Sequence, residues 1–124
     1  CHGESEQVAF LAFSRPADNG EEIYNGYLSM DGIRHDVVRG SRQVKHVDGR
    51  LSDIAFELED EAGRRLAGHG TPLNRFSYTS YPKLLSHHYL MRWELPGGPV
   101  FGEEQDLWSV PLWRQSCVAA GAVR

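Results

Sequence analysis

His87 and His88 stand side by side ahead of the alternating run Tyr89-Leu90-Met91-Arg92-Trp93-Glu94, and Glu103, Glu104, Gln105 and Asp106 follow closely. Imidazoles and carboxylates at this density are the raw material of metal binding or acid–base work. On a strand, however, adjacent residues point to opposite faces, so His87 and His88 cannot easily chelate one ion. His46 and Asp48, two apart where a strand runs into a turn, could act as a bidentate pair, with a third ligand from His35 or His69 on a neighbouring strand. Zinc sites generally use tighter spacing than that. The expectation is no metal and no cofactor, with the histidines solvated or hydrogen-bonded. Nucleophilic catalysis is not signalled either. No G-x-S-x-G elbow occurs, and Ser80 and Ser86 read as members of a serine-rich loop. "GHG" (68 to 70) and "PGGP" (96 to 99) are too short for a phosphate cradle, and "GHG" is expected to mark a bulge or tight bend.

The aromatic side chains are the stronger signal. Tyr24, Tyr27, Phe56, Tyr89, Trp93 and Trp108 all fall on strand-like segments. Closing such strands into a barrel would line its interior with rings, and about eight strands can hold one small ligand. The same rings could equally fill a core. In "YLMRWELPGGPVFGEEQDLW" (89 to 108), alternation places Tyr89, Met91 and Trp93 on a buried face and Arg92 with Glu94 on a wet one, as a solvent-side ion pair. On the second strand Glu103 and Gln105 share one side and Glu104, Asp106 and Trp108 the other. That strand is too polar to be buried on both faces, so it is expected at an edge or beside a water-filled cavity.

Such residues need a scaffold, and the scaffold reads as strands throughout. Helical periodicity is almost absent, while strand signals recur at short intervals between turns. "QVAFLAFS" is followed by the turn formers "RPADNG", then by "EEIYNGYLSM". "DG" at Asp31-Gly32 and again at Asp48-Gly49 predicts two tight hairpins. "LSDIAFELED" puts Ile54, Phe56 and Leu58 on one face against Asp53, Glu57 and Glu59 on the other. Residues 71 to 85 read as one long irregular connection. The tail "PLWRQSCVAAGAVR" fits a last strand or a short helix. The expected fold is all-β, an antiparallel lipocalin-like barrel or half-barrel in a single domain over 1–124, with little helix.

A chain of 124 residues supports one ordinary core without disulfide or metal. The net charge of -4 is spread along the chain with no basic run, which argues against nucleic acid as a partner. No apolar run approaches a membrane span. Cys1 and Cys117 lie near opposite ends; a disulfide between them is conceivable, and two thiols in a reducing cytoplasm is the favoured reading.

The order of a "GYL" strand, a "DG" turn, a "VV" strand, a "DGR" turn and "IAFELEDEAGRRL" resembles the C-terminal half of bacterial two-barrel, lipocalin-like proteins related to carotenoid 1,2-hydratases and the AttH group. "VFGEEQDLW" is similar to the family's closing strand, with Phe101, Gly102 and Trp108 in matching places. The resemblance spans most of residues 6 to 110. It departs in two ways: the family's DHSWG-like segment would lie upstream of residue 1, and Gln105 stands where a glutamate is expected. The resemblance implies that this chain is the C-terminal part of a longer protein. It also implies either an apolar guest (terpenoid, steroid or fatty-acid-like) or a hydratase or isomerase acting on a carbon–carbon double bond. The reaction would need a buried carboxylic acid as proton donor, for which Glu94, Glu103 and Asp36 are the candidates.

For a binding barrel, Tyr89, Met91 and Trp93 are expected to touch the guest, with Tyr27 and His35 adding polar contacts beside the space left by Gly26. The remaining reading is structural, a half-domain that pairs with a missing N-terminal half or with a second copy of itself through an exposed strand edge.

Overall fold

The structure, a computed structural model, describes residues 1–81 and 84–109, and the side chains of all of these except 80, 81, 108 and 109. Cys117, the tail and the Trp108 side chain therefore lie outside the described residues. Nine antiparallel strands form one sheet: β1 (His2–Glu4), β2 (Val8–Ala17), β3 (Gly20–Met30), β4 (Ile33–Val47), β5 (Arg50–Asp60), β6 (Arg65–Pro72), β7 (Phe76–Tyr81), β8 (Leu84–Leu95) and β9 (Gly98–Ser109). Their order is β6-β5-β4-β3-β2-β1-β9-β8-β7, and β6 pairs with β8 as well, so eight strands close into a barrel. The half-barrel alternative is thereby set aside.

Local chemistry explains the hairpins. Asp31 and Gly32 have φ of 54° and 77°, and Asp48 and Gly49 have 53° and 75°. Two successive positive φ angles make the turn whose twist matches that of the flanking strands, and Asp-Gly tolerates both. At the same end as Asp31-Gly32, Asp60 is buried and accepts from Arg64 Nε (2.6 Å) and from the backbone N–H groups of Ala62 and Arg64. Arg64 also donates to the carbonyls of Leu28 and Met30. That end, the base of the barrel, is tied shut by one turn.

Bulges decide which residues face inward, and two of them bear on Arg42 and on β3. Between Phe13 and Ser14 the register skips Tyr24 on β3, so Ile23 and Leu28 both point into the core although they differ in parity. On β4 the register skips Val38, which turns Val37 and then Gly40 and Arg42 inward. A bulge switches the face on which every later side chain lies.

The core runs along the barrel axis. Phe10, Phe56 and Trp93 meet with ring centroids 4.9 to 5.4 Å apart, and the tryptophan stands edge-on to both phenylalanines. Trp93 is fully buried, and its indole N–H donates to the His2 carbonyl (2.8 Å). Room for it comes from β6, where a methyl group on Gly70 would lie 2.3 Å from the Trp93 ring and one on Gly68 2.9 Å from Phe56. "GHG" therefore marks space for rings rather than a bulge, since the β5–β6 register is unbroken there. Residues 71 to 85 also differ from expectation: most of the segment is strand, because β7 continues along the β8 edge that β6 began. The short link between them is held by the Leu73 N–H to the Leu90 carbonyl and by the Asn74 side chain to the Leu90 N–H.

Candidate functional site

At the end opposite the Asp60 turn, the lumen above the three rings opens into a cavity of about 170 Å³. Val44, Leu51, Ile54 and the Tyr89 ring form its apolar part, while Glu21, Arg42, His46, Glu104 and Asp106 supply polar atoms. The positions follow from register. Tyr89 faces Glu104 and His87 faces Asp106 across β8 and β9, all on the inner side. The polar inner face of β9 thus borders a cavity, in keeping with its composition.

Arg42 reaches across the lumen. Its guanidinium donates to Glu104 on β9 and to Glu21 on β3, each at 2.6 Å. Glu104 is 2% exposed, and its other oxygen lies 3.3 Å from the Cys1 nitrogen, which in turn donates to the Ala12 carbonyl. Burial pulls the Arg42 pKa down, but Glu104 and Glu21 outweigh it and leave it above its ordinary value. Arg42 is a fixed cation with two fixed acceptors.

Tyr89 is 3% exposed, and its hydroxyl faces the Arg75 side chain and the Leu51 backbone without closing a hydrogen bond of good geometry to either. Burial, and then the Asp106 carboxylate, raise its pKa, so the phenol keeps its proton. His87 is also buried, and its Nδ1 is 2.5 Å from Ser77 Oγ. Burial first, then Arg75 and His46, lower its pKa to about 4, so the ring is neutral near pH 7.

The expected contact residues divide. Tyr89 lines the cavity, while Met91 and Trp93 point inward and are buried beneath it. Tyr27 does not face the lumen: it stands on the outer wall with the Arg34 guanidinium 4.1 Å from its ring centre. The β3 bulge is the cause, because it hands the inward position to Leu28. Tyr24 is turned out as well, beneath Arg15. His35 sits at the barrel's base, 3.3 Å from Glu61, far from the cavity. The three acid candidates are misplaced too. Asp36, Glu94 and Glu103 are all exposed, and Glu94 pairs with Arg92 (2.6 Å) on the outside. None can serve as a buried proton donor. The carboxylates that are buried, Glu104 and Asp60, are held by arginines.

Sequence reasoning missed Arg42, Glu21 and the Tyr89 hydroxyl as a group, because the β4 bulge hides Arg42's inward orientation. A larger groove of about 580 Å³ lies over β4, β5 and β6, where Arg39 and Arg65 are exposed and paired with Glu59. Among the described residues no three histidine, cysteine, aspartate or glutamate side chains converge as a metal site, and no helix is long and apolar enough to cross a membrane. His69 pairs with Asp53 on the outer wall, away from His35 and His46.

The fold defines the class, a closed antiparallel eight-stranded β-barrel, an architecture consistent with a lipocalin-like fold. No family model, curated protein or solved structure matches the chain.

Proposed function

We propose that this barrel binds a small, largely apolar molecule in the cavity at its open end. The observation that carries the reading is the cavity itself: an apolar ledge of Val44, Leu51 and Ile54 shares it with a buried hydroxyl that closes no hydrogen bond of good geometry. Small-molecule sites commonly combine such walls with a few placed polar groups. The turn-and-strand resemblance to proteins related to carotenoid 1,2-hydratase and the AttH group points the same way and belongs to this proposal. Size narrows the guest. A dry cavity of about 150 Å³ holds a benzene-sized molecule, and 170 Å³ is of that order. A steroid, a long terpenoid or a fatty-acid chain exceeds that volume and would have to protrude from the open end or displace Phe10, Phe56 or Trp93. The hydratase or isomerase alternative loses its three named proton donors to solvent and is not carried forward.

The test is a thermal-shift series with apolar compounds graded by size, from single-ring hydrocarbons to steroids. Single-ring compounds should raise the melting temperature, because a ligand at 100 times its Kd stabilises the native state by about 2.7 kcal/mol. No shift with any member would end the proposal.

A further inference from the structure

We infer that the guest of this cavity is uncharged and carries a carbonyl oxygen on a single ring, as in a ketone, and that Tyr89 donates its hydroxyl proton to that oxygen. The inference rests on the binding reading above and adds the chemical class of the guest. Three observations support it.

The first is the unmatched atom. The Tyr89 phenol is 3% exposed and lines the cavity with no hydrogen bond closed. A hydroxyl offers one proton and accepts through its oxygen. That oxygen already faces two groups that act on it as donors, the Arg75 side chain and the Leu51 backbone. What the hydroxyl lacks is an acceptor within hydrogen-bond reach of its proton. Burying a polar group without a partner is unfavourable, so a guest that supplies the acceptor is preferred over one of the same shape that does not.

The second is that the cavity's arginine is already matched. Arg42 holds Glu21 and Glu104 at 2.6 Å each. A guest carboxylate would have to break one of these bonds or stand unpaired beside Asp106. A guest ammonium would have to compete with Arg42 for Glu21 and Glu104, with the Arg75 charge, felt at both Tyr89 and His87, nearby. An ion of either sign loses its hydration and competes with charge pairs already made.

The third is shape. The apolar ledge of Val44, Leu51 and Ile54 and the volume of about 170 Å³ accommodate one six-membered ring with a short substituent. Acetophenone has that size, ethylbenzene is its near-isostere without the oxygen, and benzoate and benzylammonium are its charged counterparts.

Titration calorimetry of these four compounds against the wild-type protein and Tyr89→Phe tests the inference. Acetophenone should bind the wild type about tenfold more tightly than ethylbenzene does, the ratio one buried hydrogen bond supports. Tyr89→Phe should erase that ratio. The wild-type comparison stands by itself should the variant lose its native circular dichroism. Equal binding of acetophenone and ethylbenzene, tighter binding of either ion, or a preference that survives Tyr89→Phe in the folded state would overturn the inference and leave the binding reading standing. Failure of all four compounds to bind would remove both.

Discussion

Trp93 and Arg92 are neighbours in sequence and opposites in energy. Trp93→Ala should cost about 3–5 kcal/mol, since it empties the centre of a ring cluster and leaves the His2 carbonyl without its donor. Arg92→Ala removes only an exposed ion pair and should cost under about 1 kcal/mol; urea denaturation separates the two. The same contrast holds between two arginines of β4. Arg42→Met strands Glu104 in the lumen and should destabilise by about 3–5 kcal/mol, whereas Arg39→Met breaks an outer pair with Glu59 and should cost under about 1 kcal/mol. His87 gives the protein a pH response. Its ring titrates at 6.5 when unfolded and at about 4 when folded. Between these values the unfolded chain holds more protons, so stability is full above 6.5 and falls as the pH drops toward 4. The loss should be on the order of 1–3 kcal/mol. Melting curves from pH 7.5 to pH 4 should show it, and His87→Gln should flatten the slope in that window. Asp60, whose pKa lies below 3.8 because its bonds from Arg64 outweigh burial, acts only at more acidic pH.

At the scale of elements, β6 is shaped by what β8 sends into it. Gly70→Ala would place a methyl group inside the Trp93 ring and should cost about 1–3 kcal/mol through overpacking. Gly97→Ala, in the turn before β9 with nothing within 4 Å, should stay within about 0.5 kcal/mol. Equal costs for the two would show that the rings are free to move aside. The sequence made the Asp-Gly hairpins and the strands β5 and β8 legible, because such turns and plain alternation are local signals. It also showed that β9 is too polar to be buried on both faces, which left an edge or a cavity. It did not reveal Tyr27 as an outer residue or Arg42 as an inner one. Both errors come from a single skipped residue, Tyr24 in one case and Val38 in the other, and nothing about those side chains announces a bulge. The partners of Arg42 come from β3 and β9, and pairing at that distance in sequence is set by closure rather than by any local pattern.

At the scale of the whole molecule, closure depends on the shortest strand. β1 has three residues, yet it joins β2 to β9 and supplies the carbonyl that holds Trp93. Deleting residues 1–4 should leave β2 and β9 with facing unpaired edges, which recruit other chains. Size-exclusion chromatography should then show dimers or larger species, and hydrogen exchange along β9 should quicken. A monomer with unchanged protection would mean that β2 and β9 can close the barrel between themselves.

The three rings that fill the middle of the barrel act as a piston head within a fixed cylinder. Strand number and stagger set the bore, and the rings set the depth of the chamber above them. Replacing Phe56 by leucine or alanine would lower that head while leaving the rim of Arg42, Glu104 and Tyr89 in place. Guest length can therefore drift by substitution at one depth, while the groups that choose the guest's chemistry stay where they are.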